Sequence, residues 1–233
     1  MGVGPLAGPV VAAAVVFAPG VQLHGVDDSK KLDPEQRARM ATAIRERATG
    51  IGIGAAEVGE IDRLNIYHAA LLAMKRAIEA LPESPEHVLV DARTIPGVDV
   101  PQNQFQKGDG INFSIAAASI VAKTYRDALM DELDARYPAY GFAKHKGYAT
   151  PEHQEAIRRH GPCDIHRMSF THIKELCGEY SSVFYELKER LARASTPLEL
   201  DTFEKEFAER RAGLDESEER KLKLMIARRW KTL

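Results

Sequence analysis

Apolar and polar residues alternate along the first half of the chain in blocks typical of an α/β protein. Three apolar blocks, Pro9–Phe17, Ile51–Val58 and His87–Asp91, have the length of buried strands. Between them lie longer blocks with apolar residues at helical spacing, over about 33–48 and 61–81. This alternation predicts an α/β domain whose sheet is at least partly parallel, with the first strand central and buried on both faces.

Two aspartates stand where this pattern predicts a ligand site. Asp91 closes the third apolar block, and ligands bind beyond the carboxyl ends of strands in such sheets. Asp127 ends an Ala-rich helix predicted to begin at an N-cap, Ser114, and it shares a face with Lys123, one turn away. Two converging carboxylates could hold one or two divalent ions. The alternative is that Asp91 caps a loop and Asp127 faces water.

Basic and aromatic residues follow in a turn-rich stretch. Lys144, Lys146 and Tyr148 could hold a phosphate and stack on a sugar or base, or they could form a solvated loop whose tyrosine packs on the core. Five histidines and a cysteine lie nearby, but their spacing matches no standard zinc pattern. The glycines at residues 2, 4 and 8 lack the preceding strand of a dinucleotide fingerprint.

Composition narrows the class of protein. A net charge of −2 over 233 residues provides no overall positive field, so any nucleic-acid binding must come from a local basic patch. The two cysteines, Cys163 and Cys177, fit a reducing cytoplasm better than a disulfide framework. Pro5 and Pro9 interrupt the apolar start, which has no basic region of a signal peptide, and no apolar run reaches the ~18 residues that suggest a membrane helix.

The segment after residue 180 is predicted to be helical. Apolar residues recur at helical spacing from Val183 to Leu191, Thr196-Pro197 predicts the start of a second helix, and a basic helix is expected over Arg220–Trp230. These helices could simply pack as an appendage. Alternatively, the basic residues Arg228, Arg229 and Lys231 could contact a duplex backbone or a partner protein.

The ordered motifs together resemble the ribonuclease HII family. The likeness spans about residues 1–178 and is carried by these stretches: GPLAGPVVAAAVV at 4–16, DDSKKL at 27–32, LNIYHAALLAM at 64–74, VLVDAR at 88–93, KGD at 107–109, SIAAASIVAK at 114–123 with RD at 126–127, YGFAKHKGYATPEH at 140–153 and GPCDIHRMSF at 161–170. We therefore expect a catalytic domain over 1–178 and a helical C-terminal extension over 179–233.

The resemblance implies a fold, an activity and a site. The fold would be a ribonuclease-H-like mixed sheet flanked by helices, and the activity would be metal-dependent hydrolysis of RNA in RNA–DNA hybrids, with cleavage 5′ to ribonucleotides embedded in DNA to leave 3′-hydroxyl ends. Asp91 and Asp127 would be catalytic and would bind Mg²⁺ or Mn²⁺. The implied substrate-binding residues are Gly2, Gly4, Lys30, Lys107, Lys146 and Tyr148. We expect a monomer with no membrane partner.

The start of the chain departs from the family pattern. The family carries an Asp-Glu pair of metal ligands directly before a Gly-Arg-Gly segment, which aligns with Gly2-Val3-Gly4, so the pair would precede Met1 and the arginine is Val3. We interpret Met1 as an internal methionine of a longer enzyme. The alternative is a catalytically impaired paralogue that binds hybrids without cutting them.

Overall fold

The structure is a computed structural model that describes residues 1–26, 29 and 32–233. The chain forms two compact units, Met1–Ser169 and Phe170–Leu233. The elements of the first unit are β1 (Val10–Phe17), α1 (Pro34–Arg47), β2 (Ala48–Ala56), α2 (Val58–Leu64), α3 (Ile66–Glu79), β3 (Val88–Asp91), β4 (Gln102–Phe105), α4 (Phe113–Arg136), α5 (Phe142–His145) and α6 (Pro151–His160). A 3-10 turn, Gly108–Gly110, lies between β4 and α4.

Strands β1 and β2 form an antiparallel pair with helices on both faces. On one face, Ala13, Val15 and Phe17 pack against the buried residues of α1 and α4. On the other face α3 approaches the glycines of β2 so closely that a Cβ on Gly52 would lie 2.0 Å from the carbonyl oxygen of Ala77. The short side chains of β2 therefore determine how near α3 can pack.

The prediction that β1 is buried on both faces is only partly correct. Val10 and Val11 are buried, whereas positions 12–17 are half-buried. On the edge of β1 away from β2, Met1 exchanges two backbone hydrogen bonds with Val11. Within the described residues no strand pairs with this edge of β1, and the later half of β1 keeps partial exposure.

Strands β3 and β4 form a parallel pair in which Asp91 lies opposite Phe105. The predicted parallel component is therefore present. Strand β4 was not predicted, because its sequence Gln-Asn-Gln-Phe has no apolar block. Pairing with β3 holds it, and the Gln102 side chain adds hydrogen bonds to the backbone of Ile95.

Two helices of the structure differ from their predicted boundaries or caps. The helix expected over 61–81 is interrupted at Asn65, whose φ of 68° ends α2 and whose side chain caps α3 by accepting from the amides of Tyr67 and His68. Asparagine tolerates the positive φ and competes well for cap hydrogen bonds. The Ala-rich helix is capped by Asn112 and not by Ser114, which lies in its first turn.

The second unit contains α7 (Thr171–Cys177), α8 (Ser182–Arg193), α9 (Pro197–Arg210) and α10 (Glu216–Trp230). Its core includes Phe184, Leu187, Phe203 and Leu222. Thr196 caps α9 as predicted, but α10 begins at Glu216 and not at Arg220, because the capping box formed by Asp215 and Glu218 starts the helix earlier. The Arg229 guanidinium donates two hydrogen bonds to the carbonyl of Ala194 within this unit.

Candidate active site

Asp91 lies at the end of β3, and only one of its two carboxylate oxygens accepts a hydrogen bond from the described residues. Its Oδ1 accepts a hydrogen bond of 2.8 Å from the amide of Gly108, the first residue of the 3-10 turn. A side chain at Gly108 would collide with Ile115, since a Cβ there would lie 2.6 Å from that residue's Cδ1. Oδ2 makes no hydrogen bond to the part of the chain that the structure describes. Asp91 thus presents one oriented oxygen at a strand end.

Asp127 is held between two cations on the outer part of α4. Lys123, one turn earlier, donates to Oδ1 at 2.6 Å, as the predicted shared face requires, and Arg37 of α1 donates to Oδ2 at 3.2 Å. The Asp127 side chain is 18% exposed. Because both oxygens are already paired, a bound cation would have to compete with Arg37 or Lys123 for this carboxylate.

Arg37 also contacts the two described residues of the DDSKKL motif, Ser29 and Leu32. Its guanidinium donates to the carbonyls of Ser29 (3.0 Å) and Leu32 (2.8 Å), and the Ser29 hydroxyl lies 2.9 Å from that of Ser119 on α4. Sequence reasoning missed Arg37, because its carboxylate partner, Asp127, lies 90 residues later in the sequence. Lys30, a predicted substrate-binding residue in this motif, lies outside the described residues.

The donor types at Asp91 and Asp127 fit a hard divalent cation. Mg²⁺ is usually held by one or two carboxylates, with substrate phosphates and water completing the shell. The elements that carry the two aspartates, β3 and α4, contact each other. In the described ranges no group of three or more His, Cys, Asp or Glu side chains is arranged to hold a metal ion. Asp91 and Asp127 therefore remain the predicted ligands.

The predicted substrate-binding residues near the start of the chain lie beside the predicted stacking tyrosine. Tyr148 is 44% exposed, and a Cβ on Gly4 would lie 4.0 Å from its ring. Gly4 is itself exposed, whereas Gly2 is buried with a φ of 83°. Gly4 and Tyr148 therefore belong to one surface, and Gly2 lies beneath it.

The other two lysines predicted to bind substrate, Lys107 and Lys146, have different environments. Lys107 is exposed and adopts a left-handed conformation, φ 56°, immediately before the glycine that holds Asp91. Lys146 pairs with Asp131 of α4, so its charge is partly neutralised within the protein. Lys107 is thus next to a predicted metal ligand, while Lys146 would have to exchange Asp131 for a phosphate.

The backbone of Tyr148 is held by a chain of buried imidazoles. The Cys163 amide donates to Nδ1 of His166 (2.8 Å), Nε2 of His166 lies 3.1 Å from Nε2 of His153, and Nδ1 of His153 lies 2.8 Å from the Tyr148 carbonyl oxygen. One set of neutral tautomers satisfies all three contacts. Burial lowers the pKa of His153 and of His166 to about 4, so both are neutral at pH 7.

Two arginines beneath this surface were not predicted to have a role. Arg126 and Arg167 are 1% and 0% exposed, and both guanidiniums donate to backbone carbonyls of residues 2–9. A signal for Arg126 was present in the sequence. It stands four residues after Ala122 and four before Met130, both buried, so an arginine occupies an apolar helical stripe.

Comparison with known proteins agrees with the sequence motifs. A family model described as Ribonuclease HII matches residues 1–173. The chain is 57% identical over 178 residues to the ribonuclease HII of Myxococcus xanthus, covering 76% of this chain and 61% of that protein. It is 53% identical over 177 residues to the ribonuclease HII of Anaeromyxobacter sp., covering 76% and 56% respectively. The chain thus spans about three fifths of the length of these relatives.

Solved structures confirm the expected fold. The ribonuclease H2 of Pyrococcus horikoshii OT3 superposes with a TM-score of 0.65 at 23% identity, over 77% of this chain and 94% of that chain. Bst-RNase HIII in complex with Mn²⁺ gives a TM-score of 0.57 at 21% identity, over 77% and 67%. At these identities the likeness concerns the fold, which is the ribonuclease-H-like α/β arrangement predicted from the motifs.

Proposed function

Because this chain belongs to the ribonuclease HII family, we propose that it hydrolyses RNA in RNA–DNA hybrids and cuts 5′ to ribonucleotides embedded in DNA, leaving 3′-hydroxyl ends. The reaction would depend on Mg²⁺ or Mn²⁺. The observation that carries the proposal is the Asp91 carboxylate at the end of β3, on an element that contacts the helix of Asp127. The Gly108 amide binds its Oδ1, and Oδ2 has no hydrogen-bond partner among the described residues. The family relationship does not favour the alternative of a module that binds hybrids without cutting them.

Asp91 and Asp127 would hold the cation, which when bound supplies Lewis acidity toward the scissile phosphate. The Gly108 amide keeps the Asp91 carboxylate in one orientation, so little ordering remains when a cation arrives. Lys123 and Arg37 hold the Asp127 carboxylate in place until then. Their positive charges would also favour the approach of a phosphate.

The exposed surface of Gly4 and Tyr148 would contact the nucleic-acid strand. The tyrosine ring offers an apolar face to a sugar or base, and a glycine lets a backbone approach closely. A contact to the ribose 2′-hydroxyl is what distinguishes RNA from DNA at such a surface. Our proposal includes action as a monomer in the cytoplasm. In the described residues no helix is long and apolar enough to cross a membrane.

The test is cleavage of a labelled DNA duplex that contains one ribonucleotide, by the natural full-length protein. We expect cutting 5′ to the ribonucleotide with Mg²⁺ or Mn²⁺, a product end that a DNA polymerase can extend, and no cutting with a chelator. Asp91→Asn should reduce the rate by several orders of magnitude, since it removes a charged cation ligand.

The matched control is Asp99→Asn. Asp99 is an exposed aspartate in the loop before β4, near the Val88 end of the parallel pair and away from Asp91. The Asp99→Asn variant should cut at the same rate as the unmodified protein. Full activity of Asp91→Asn would exclude the proposed ligand role, and cutting that persists in chelator would exclude the metal-dependent mechanism.

A further inference from the structure

We propose that Arg126 and Arg167 are positioning residues that hold the loop of residues 2–9 against the turn carrying Tyr148, so that the loop amides and the tyrosine ring form one pre-organised surface for the ribonucleotide-containing strand. The inference rests on the proposed function, because it concerns how that substrate is recognised. Neither guanidinium is exposed, so neither would contact the substrate itself.

Arg126 connects the loop to the turn directly. From α4 it donates hydrogen bonds of 3.0 Å to the carbonyls of Ala7, Pro9 and Lys146. The first two acceptors belong to the loop, and the third lies two residues before Tyr148. A single buried side chain thus sets the distance between the two parts of the predicted contact surface.

Arg167 holds the other side of the same loop. Its guanidinium donates to the carbonyls of Gly2 (2.7 Å), Val3 (3.1 Å) and Gly8 (2.9 and 2.7 Å). Its backbone amide donates to the carbonyl of Leu6 (2.9 Å). Because these carbonyls all turn inward toward one arginine, the loop has little freedom to change its conformation.

The chemistry of the guanidinium explains why arginine occupies these buried positions. Burial of an ion costs several kcal/mol unless its donors are satisfied, and here burial lowers the pKa of Arg126 and brings that of Arg167 to about 9. An apolar side chain would fill the space at no such cost. The planar fork of an arginine, however, can donate to carbonyls of residues that are not adjacent in sequence, which a lysine ammonium cannot reproduce.

Glycines make the close approach possible. A Cβ on Gly2 would lie 2.2 Å from Nε of Arg126, and one on Gly147 would lie 2.6 Å from the carbonyl oxygen of Ala7. Both glycines have a positive φ, 83° and 82°. The loop, the arginines and the Tyr148 turn therefore interlock at positions where a side chain would force them apart.

The outer side of the loop of residues 2–9 is exposed, in contrast to the inner side that the two arginines bind. Val3 is 51% exposed, Gly4 is exposed, and their backbone amides have no acceptor in the part of the chain that the structure describes. Two exposed donors beside the Tyr148 ring could bind sugar or phosphate oxygens. Their direction is set by the inward carbonyls, and hence by Arg126 and Arg167.

The experiment measures binding without cleavage, in chelator, using the full chain and two fluorescent duplexes of the same sequence, one all-DNA and one with a single ribonucleotide. We expect Arg126→Lys and Arg167→Lys each to lower the preference for the ribonucleotide duplex by about tenfold, which corresponds to about 1.4 kcal/mol. Binding to the all-DNA duplex should change much less, because general phosphate attraction does not depend on the loop.

Two controls separate positioning from general destabilisation. Arg159→Lys changes an exposed arginine of α6 and should leave the preference unchanged. Ile120→Val removes a methylene from the core face of α4 and destabilises the same helix without touching the loop. If Ile120→Val lowers the preference as much as the arginine variants do, the arginines are merely structural and the proposal is wrong.

A double-mutant cycle with Tyr148→Ala tests the coupling. If Arg126 acts by placing the loop against Tyr148, the double variant should lose less preference than the sum of the single variants. Full additivity would contradict that coupling. Should both lysine variants fail to fold, Gly2→Ala, which displaces the Arg126 guanidinium from the loop, takes their place, and an unchanged preference would overturn the inference.

The same titrations distinguish the two proposals. If the unmodified chain shows no preference for the ribonucleotide duplex, the proposed substrate is wrong and the inference falls with it. If the unmodified chain shows the preference and the arginine variants retain it, only the positioning role of Arg126 and Arg167 is excluded.

Discussion

Replacement of Gly54 by alanine would place a methyl group inside the contact between β2 and α3. The added Cβ would lie 2.2 Å from the carbonyl oxygen of Ala73, 2.4 Å from the amide nitrogen of Ala77 and 2.7 Å from Cβ of Arg76. The two closest atoms belong to the helix backbone, which cannot rotate away as a side chain can. Either α3 or the β1–β2 pair must therefore move.

Two opposing terms set the size of the effect. Alanine in a strand is favoured over glycine by about 0.5–1 kcal/mol, because glycine loses more backbone entropy on folding. Overpacking costs about 1–3 kcal/mol, and contact with rigid backbone places Gly54 at the upper end of that range. We therefore expect a net destabilisation of about 2 kcal/mol, which lowers the Tm of a unit of this size by about 4–8 °C.

The assay is thermal and urea unfolding followed by circular dichroism. Trp230 is the sole tryptophan and lies in the second unit, so its fluorescence separately reports that unit. The control is Gly59→Ala in α2, where a Cβ would meet no atom within 4 Å and the exposed site should gain up to about 1 kcal/mol. A Tm of Gly54→Ala that is unchanged or raised, as expected for Gly59→Ala, would refute the close approach of α3 to β2.

Two further predictions concern pH and an ion pair. Burial lowers the pKa of His153 and His166 from 6.5 to about 4, so below pH 6.5 the unfolded chain binds protons that the folded chain does not. The free energy of unfolding should therefore fall by about 3 kcal/mol or more between pH 6.5 and pH 4. A free energy of unfolding that stays constant over this pH range in urea unfolding would contradict the prediction. Hydrogen bonds from Arg76 lower the pKa of Glu60 from 4.5 to about 2, so this pair stabilises the fold above pH 4.5 and its contribution disappears as the pH falls toward 2. Because the Arg76 side chain is 40% exposed, Glu60→Gln should cost only about 1 kcal/mol at pH 7, and an equal cost at pH 2 would show that the charge is not responsible.

Features that depend on neighbouring residues could be predicted from the sequence. The Asp33-Pro34, Thr150-Pro151 and Thr196-Pro197 pairs each begin a helix in the structure, because cap and first-turn geometry is settled within a few residues. The glycines at positions 50, 52 and 54 of β2 also indicate, from sequence alone, a face against which another element packs closely. Their spacing placed them on one face of the strand, where only a closely packed backbone requires the absence of side chains.

Features that depend on distant contacts could not be predicted in this way. Strand β4 is polar and exists through its pairing with β3, and the partner of Asp127 on α1, Arg37, lies 90 residues earlier. Lys146 was expected to face a phosphate, and its pairing with Asp131 depends on how the turn meets α4. None of these contacts has a local pattern, so the family motifs predict candidate site residues but not what surrounds them.

Arg126 and Asp127 are adjacent residues of one helix that belong to two different parts of the candidate site. Successive side chains on a helix are separated by about 100°, so α4 directs Arg126 inward to the loop and Asp127 outward to Arg37 and Lys123. A shift of α4 along its axis would move the predicted metal ligand and the loop together. The distance between the predicted metal site and the proposed recognition surface is therefore set by a rigid helix and not by flexible chain. The proposed cleavage at a fixed position relative to the ribonucleotide would require such an arrangement.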